Sequence, residues 1–475
     1  MRQVSMQIGA ERRPGTATFS SIDPYTGEPW AVLPEATRAD VDDAVAAARA
    51  AFEGEWGALT GTARGRLLRR LGELIAESAD DLAIAETRDN GKLLREMGGQ
   101  VRGLPAWYDY YAGLADKIDG RVVDTGRGDF FGYVSREPVG VVASILPWNS
   151  PLLLLTFKLA PALAAGCTMI LKPASDTPLT ALAIGRLLAA AGLPPGVVNV
   201  LPGRRSGPIV SAMLHDPRVR KLSFTGSTEV GRILLRECAD NIVNSSMELG
   251  GNAPFVVFAD ADLDAALDGA MIAKMRNGGE ACTAANRFYV EAPVAAEFSG
   301  RLAERMAALR VGPGTEESTE VGPLVNDEAV EKVEALVQDA VTAGATVVTG
   351  GSRPQREGCY YEPTVLTGVH PGSAILREEI FGPVAPIVSF TTEDEAVALA
   401  NDTEYGLVAY VYTGDLGRGL RVSERIDSGM VGLNRGLVSD PAAPFGGTKQ
   451  SGIGREGGHE GVLDYTESLY LALSW

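Results

Sequence analysis

At 475 residues the chain is too long for one ordinary core, and size alone predicts two or three domains. A composition of 45% hydrophobic and 22% charged residues excludes a disordered or fibrous chain, and a net charge of −18 with no basic stripe excludes nucleic acid as a partner. Four widely spaced cysteines without a C-x-x-C pair, and the lack of a signal-like or membrane-length apolar run, argue against zinc, disulfides, secretion and a membrane span, so a reducing cytoplasm is the expected compartment.

Residues 37–117 read as consecutive helices, the first opening on Thr37 and Asp40 as a capping box with Val41, Val45, Ala48 and Phe52 on one face. Residues 129–134 and 138–142 are β-branched and aromatic with a turn between them, which predicts a hairpin; alone it is marginal, so it must dock elsewhere. From 139 to 250, apolar strands at 142–146, 168–171, 197–200 and 221–224 alternate with helices, the mark of a parallel α/β sheet. A second alternating region runs through 255–258, 408–412 and 430–434 and predicts a second α/β domain. No low-complexity linker separates the two, and sites are common at such interfaces.

Several segments placed at strand ends carry chemistry. Phe224-Thr225-Gly226-Ser227-Thr228-Glu229-Val230-Gly231 follows a strand and opens a helix whose apolar face continues through Ile233 and Leu234, so free N–H groups and a positive dipole end face any anion there. The G-x-G-x-x-G pattern is absent, and a plain helix start capped by Ser227 or Thr225 is the favoured reading of the segment alone. Leu171-Lys172-Pro173-Ala174-Ser175 and Ile145-Leu146-Pro147-Trp148-Asn149 also end strands, where open α/β sheets take ligands. Glu248 and Cys282 each lie among glycines that permit close approach, in Glu248-Leu249-Gly250-Gly251 and Gly279-Glu280-Ala281-Cys282. A thiolate attacks a carbonyl carbon, and a carboxylate deprotonates the water that cleaves the resulting thioester. Taken singly, a core thiol and a surface carboxylate are the plainer reading.

The surroundings change that balance. Met247-Glu248-Leu249-Gly250-Gly251-Asn252-Ala253-Pro254 and Arg276-Asn277-Gly278-Gly279-Glu280-Ala281-Cys282 closely resemble the two signature segments of the aldehyde dehydrogenase superfamily. The resemblance covers nearly the whole chain and is nearest the succinate-semialdehyde dehydrogenase branch, as at Arg220-Lys221-Leu222-Ser223-Phe224-Thr225-Gly226-Ser227-Thr228. It implies a Rossmann-like cofactor domain (1–117 and 138–249), a catalytic α/β domain (250–455) and a small β oligomerisation arm (118–137 and 456–475) serving a homodimer or homotetramer.

The same resemblance implies non-acylating oxidation of a small-molecule aldehyde to its acid, with Cys282 as nucleophile, Glu248 activating water, and Asn149 with the Cys282 N–H holding the oxyanion. Cofactor contacts are implied for Ile145, Trp148, Lys172, Ser175, Gly226, Ser227, Gly231 and Leu249, and for Glu379 and Phe381 of Glu379-Ile380-Phe381-Gly382-Pro383. Many NAD-using members carry a glutamate where Ser175 stands; without its repulsion of a 2′-phosphate, NADP is favoured over NAD. The semialdehyde branch commonly holds the substrate carboxylate with two arginines and a serine. Arg276 and Ser439 stand at two of these positions, but Phe157 occupies the other arginine's place, so an apolar or aromatic aldehyde ranks ahead of a semialdehyde acid. No metal is expected, and His215, His370 and His459 match no motif.

Overall fold

A computed structural model describes residues 2–128 and 130–474. Among these residues one sheet has eight strands, in the order Gly452–Ile453, Asn244–Glu248, Val219–Thr225, Val141–Ile145, Thr168–Lys172, Val198–Val200, Met6–Ile8 and Glu11–Arg13. The five from Asn244–Glu248 to Val198–Val200 run parallel, and the outer strands join antiparallel. Val141–Ile145 and Thr168–Lys172 are buried at every position, as continuous apolar strands covered by helices on both faces must be.

The helices follow their local signals. Helix Arg38–Glu53 opens on the expected capping box: the Asp40 N–H donates to Thr37 Oγ1 (3.3 Å) and the Thr37 N–H to the Asp40 carboxylate (2.9 Å). Its Val41, Val45 and Ala48 are buried. Helices Gly61–Glu77, Ala79–Asn90, Leu94–Gly103 and Pro105–Leu114 follow without an intervening strand. Helix Pro151–Ala165, which joins two parallel strands, is buried almost throughout and stops at Gly166, whose φ of +97° suits a residue without a side chain. At helix Thr228–Asn241 the expected face is half right: Leu234 is buried, but Ile233 is 51% exposed.

A second sheet has seven strands among the described residues, ordered Thr346–Thr349, Thr364–Thr367, Val384–Phe390, Ala285–Glu291, Ala253–Val257, Val408–Tyr412 and Met430–Leu433, parallel except for the first. No described helix is long and apolar enough to cross a membrane.

The expected hairpin across 129–142 is corrected. Asp129 lies outside the described residues, and Phe130–Pro138 is one continuous strand between Thr466–Ser474 and Arg121–Val123, antiparallel to both. Val141–Ile145 belongs instead to the eight-stranded sheet. Pro138 and Gly140 do break the strand, but Gly140, at φ +115°, bends the chain from one sheet into the other instead of reversing it.

Candidate active site

The two large sheets meet at a cleft reached by the carboxyl ends of the parallel strands. Asn149 follows Val141–Ile145, Lys172 ends its own strand, Gly226 follows Val219–Thr225, and Glu248 ends Asn244–Glu248. That is where an open α/β sheet leaves backbone and side chains free for a ligand. A cavity of about 690 Å³ gathers Ile145, Trp148, Asn149, Lys172, Ser175, Gly226, Ser227, Leu249, Cys282, Glu379 and Phe381. Asn326, Glu328 and Lys332, around the start of helix Asp327–Thr342, line it as well. The sequence reading missed these three, because nothing in an amphipathic surface helix marks which end meets a cleft. Gly231 lies outside the cavity lining, one turn into helix Thr228–Asn241, where a Cβ would run into the Leu249 side chain; its smallness seats the helix.

Cys282 is half-buried and follows a turn in which Asn277, Gly278 and Gly279 all have left-handed φ (+55°, +62° and +81°). At Gly279 a side chain would collide with the Gly382 carbonyl, and at Gly251 with the Cys282 carbonyl, so both glycines are needed for close approach. Asn149 donates one amide hydrogen to the Glu280 carbonyl (3.2 Å), which leaves its second N–H for a ligand oxygen. Burial, then the charges of Glu379 and Glu248, push the Cys282 thiol up to about 12; Arg276 opposes them.

Glu248 is buried, and its Oε2 has no hydrogen-bond partner. Burial first, and then Glu456, hold its carboxyl well above the ordinary carboxylate range, against the pull of Lys158 and Arg455. Lys158 and Glu456 form a buried pair at 2.5 Å, and Lys158 also donates to Ser223 Oγ (3.2 Å). Neither had been singled out. The available signal was a lysine set in an otherwise apolar helix, which must find an acceptor when buried.

Along the rest of the cavity, Ser227 caps helix Thr228–Asn241, its Oγ accepting the Val230 N–H (3.3 Å). The expected helix start is therefore present, with its dipole end on the cavity. Lys172 is buried, donates to the Pro173 carbonyl (2.7 Å), and is lowered by that burial to about 8. Ser175 Oγ donates to Asp176 (3.4 Å). Glu379 accepts the Gly251 N–H (3.0 Å), and burial raises its carboxyl to about 7. Phe381 sits at φ +56° with its ring edge-on to Trp148, centroids 5.3 Å apart. A cation, a helix N-terminus, a carboxylate and an aromatic pair spaced along one cavity suit an extended dinucleotide.

Glu248, Phe157, Arg276 and Ser439 are not part of that cavity lining. Phe157 is buried, its ring 4.0 Å from Trp107 and 5.5 Å from Phe445. Cys282 packs against the large buried core to which these three rings belong. Arg276 is half-buried and donates to Thr283 Oγ1 (3.0 Å), and Ser439 is half-buried. Among the described residues no group of three His, Cys, Asp or Glu side chains could hold a metal ion.

Comparison with known proteins agrees with this architecture. The aldehyde dehydrogenase family pattern matches residues 12–470. A succinate-semialdehyde dehydrogenase of Paenarthrobacter nicotinovorans is 49% identical over 435 residues, 91% of this chain and 97% of that protein. A probable succinate-semialdehyde dehydrogenase [NADP(+)] of Sinorhizobium fredii is 47% identical over 455 residues, 96% of this chain and 92% of that protein. The crystal structure of succinate-semialdehyde dehydrogenase from Burkholderia pseudomallei superposes with a TM-score of 0.98 at 44% identity, covering 100% of this chain and 98% of that one. With the fold, the cleft and nearly the full length in agreement, the chain belongs to the aldehyde dehydrogenase family.

Proposed function

We propose that this enzyme oxidises a short aldehyde bearing a carboxylate, such as succinate semialdehyde or a related semialdehyde acid, to the corresponding diacid. The observation that carries the dehydrogenase chemistry is the meeting of Cys282, Asn149, Glu379 and Phe381 in one cavity that also runs past Lys172 and Ser227. When bound, an oxidised nicotinamide would supply a hydride acceptor and a positive charge. Cys282, as the thiolate after its proton has passed to solvent water, adds Sγ to the aldehyde carbon, and the free Asn149 N–H holds the resulting oxyanion; losing such a donor typically costs about 10²- to 10³-fold in rate. Oxidation of this adduct leaves a thioester on Cys282. Glu248, with a raised affinity for protons and one unpartnered oxygen, takes a proton from the water that cleaves it. Glu379 and Lys172 would hold the ribose hydroxyls, Trp148 and Phe381 would take the nicotinamide end, and Ile145, Leu249, Gly226 and Ser227, which line the same cavity, would take the rest of the dinucleotide.

NADP is the preferred cofactor in this reading: Ser175 places no carboxylate of its own against a 2′-phosphate, and the Sinorhizobium relative's name carries NADP(+). For the substrate, the relatives' names and the charge of Arg276 close to Cys282 favour a semialdehyde acid over the apolar or aromatic aldehyde ranked first from Phe157. The Trp107–Phe157–Phe445 cluster supports an apolar body for that substrate and keeps an aromatic aldehyde as the second reading. A panel of succinate semialdehyde and benzaldehyde with NAD and NADP decides between them. Arg276→Ala is expected to raise KM for the carboxylated substrate by about tenfold or more and to leave benzaldehyde unchanged. Equal effects on both aldehydes would refute the carboxylate contact.

The strand Thr466–Ser474 lies at the edge of its sheet with Leu469, Tyr470 and Leu473 about half exposed, which supports a homodimer or homotetramer built on the 118–137 and 456–475 arm. Four free cysteines are compatible with a reducing compartment.

A further inference from the structure

We infer that Lys92 and Glu280 are a positioning pair that holds the nucleophile loop and the oxyanion donor in register; the inference rests on Cys282 being the nucleophile. Both side chains are buried, 2% and 0% exposed, and the Lys92 ammonium contacts the Glu280 carboxylate directly. Lys92 also donates to the Asn277 carbonyl (3.0 Å) and lies over the Trp148 ring, 5.6 Å from its centre. The second Glu280 oxygen accepts the Val325 N–H (3.1 Å). Through its backbone, Glu280 accepts the Asn149 amide (3.2 Å) and donates to the Asn277 carbonyl (3.1 Å). Asn277 is tied in turn to Glu96 by its N–H (3.1 Å) and to Ser150 by its side chain (2.9 Å).

The residue two places before Cys282 is thus gripped from three elements that are remote in sequence. Lys92 follows helix Ala79–Asn90, Asn149 follows strand Val141–Ile145, and Val325 precedes helix Asp327–Thr342. A buried ion pair is a poor source of stability, because desolvating both charges offsets their attraction. What this one supplies is direction. The turn at Asn277 runs in the left-handed region, which persists only where surrounding contacts over-determine it. Removing the ammonium leaves a buried carboxylate unpaired, so Glu280 must rotate or take up a proton. Its backbone then no longer fixes either Asn149 or the start of the Cys282 segment, and a displacement of about 1 Å costs about 10²-fold.

The test uses the full-length enzyme with an aldehyde and NADP. Lys92→Met is expected to lower kcat about 10²-fold while KM for both substrates stays within about threefold. Alkylation of Cys282 by iodoacetamide without cofactor, followed by mass spectrometry, is expected to slow in the same variant, since the unpaired carboxylate disfavours the thiolate. Adding Glu280→Gln is expected to bring kcat back to within about tenfold of wild type, because the amide oxygen still accepts the Val325 N–H and no charge remains unpaired. A folded Lys92→Met with wild-type kcat, unchanged alkylation in that variant, or a double variant no better than Lys92→Met overturns the pair. If Lys92→Met does not fold, Glu280→Gln is compared with the double variant; the double variant is expected to match or exceed it in kcat, since the single change leaves the Lys92 ammonium buried without its carboxylate, and a further loss beyond about tenfold in the double variant overturns the pair. Turnover surviving in Cys282→Ala would overturn the nucleophile assignment instead.

Discussion

Glu379→Gln is expected to stabilise the protein at pH 8 and at the same time to loosen its hold on the cofactor. Burial raises the Glu379 carboxyl from 4.5 to about 7, against the Gly251 N–H that favours its charge. In the unfolded chain the group ionises near its ordinary value and in the folded chain near 7, so between those values the folded state binds more protons. Stability contributed by this group therefore falls as pH rises from about 4.5 to about 7 and stays low above that. At about 1.4 kcal/mol per pH unit the loss reaches about 3 kcal/mol, and partial solvent contact reduces it to about 2 kcal/mol. Glutamine has no proton to lose there and keeps an oxygen for the Gly251 N–H. For a chain of this length the unfolding entropy is about 1 kcal/mol/K, so the variant should melt about 2 °C above wild type at pH 8, with the gap shrinking to a fraction of that at pH 5. Scanning fluorimetry of the cofactor-free protein across this range reads the gap directly. Steady-state kinetics should show KM for the cofactor raised about tenfold as a charged hydrogen bond becomes a neutral one. A gap that is constant with pH, or none at pH 8, refutes the electrostatic argument; an unchanged cofactor KM refutes the ribose contact.

Cys282→Ala is expected to abolish aldehyde oxidation, whereas Glu248→Gln should release one burst of reduced cofactor per site in rapid-mixing absorbance traces and then stall; equal steady turnover in the two variants would contradict their separate roles. Ser175→Glu is expected to shift the ratio of kcat/KM for NADP over NAD towards NAD by about tenfold or more, since it sets a carboxylate against a 2′-phosphate, and an unaltered ratio would remove Ser175 as the selector.

The parts of this protein that could be read along the chain are those whose physics is local. Continuous apolar runs announced strands Thr168–Lys172 and Val408–Tyr412, the Thr37 and Asp40 pair announced the first long helix, and the glycines beside Glu248 and Cys282 announced the close backbone packing at Gly251 and Gly279. Side-chain period, capping and turn chemistry need only a few neighbouring residues, so they survive in a bare sequence. Partner identity does not. Phe130–Pro138 reads along the chain as pairing with residues 138–142, whereas its partners are Arg121–Val123 before it and Thr466–Ser474 at the far end of the chain. Lys158 and Glu456, like Lys92 and Glu280, are unremarkable in their own segments and become meaningful only when packing buries them together. Which charges meet, how far burial displaces their protonation, and which backbone amides remain for a substrate are set by distances across the folded chain, and those exist only once the two sheets have closed on their cleft.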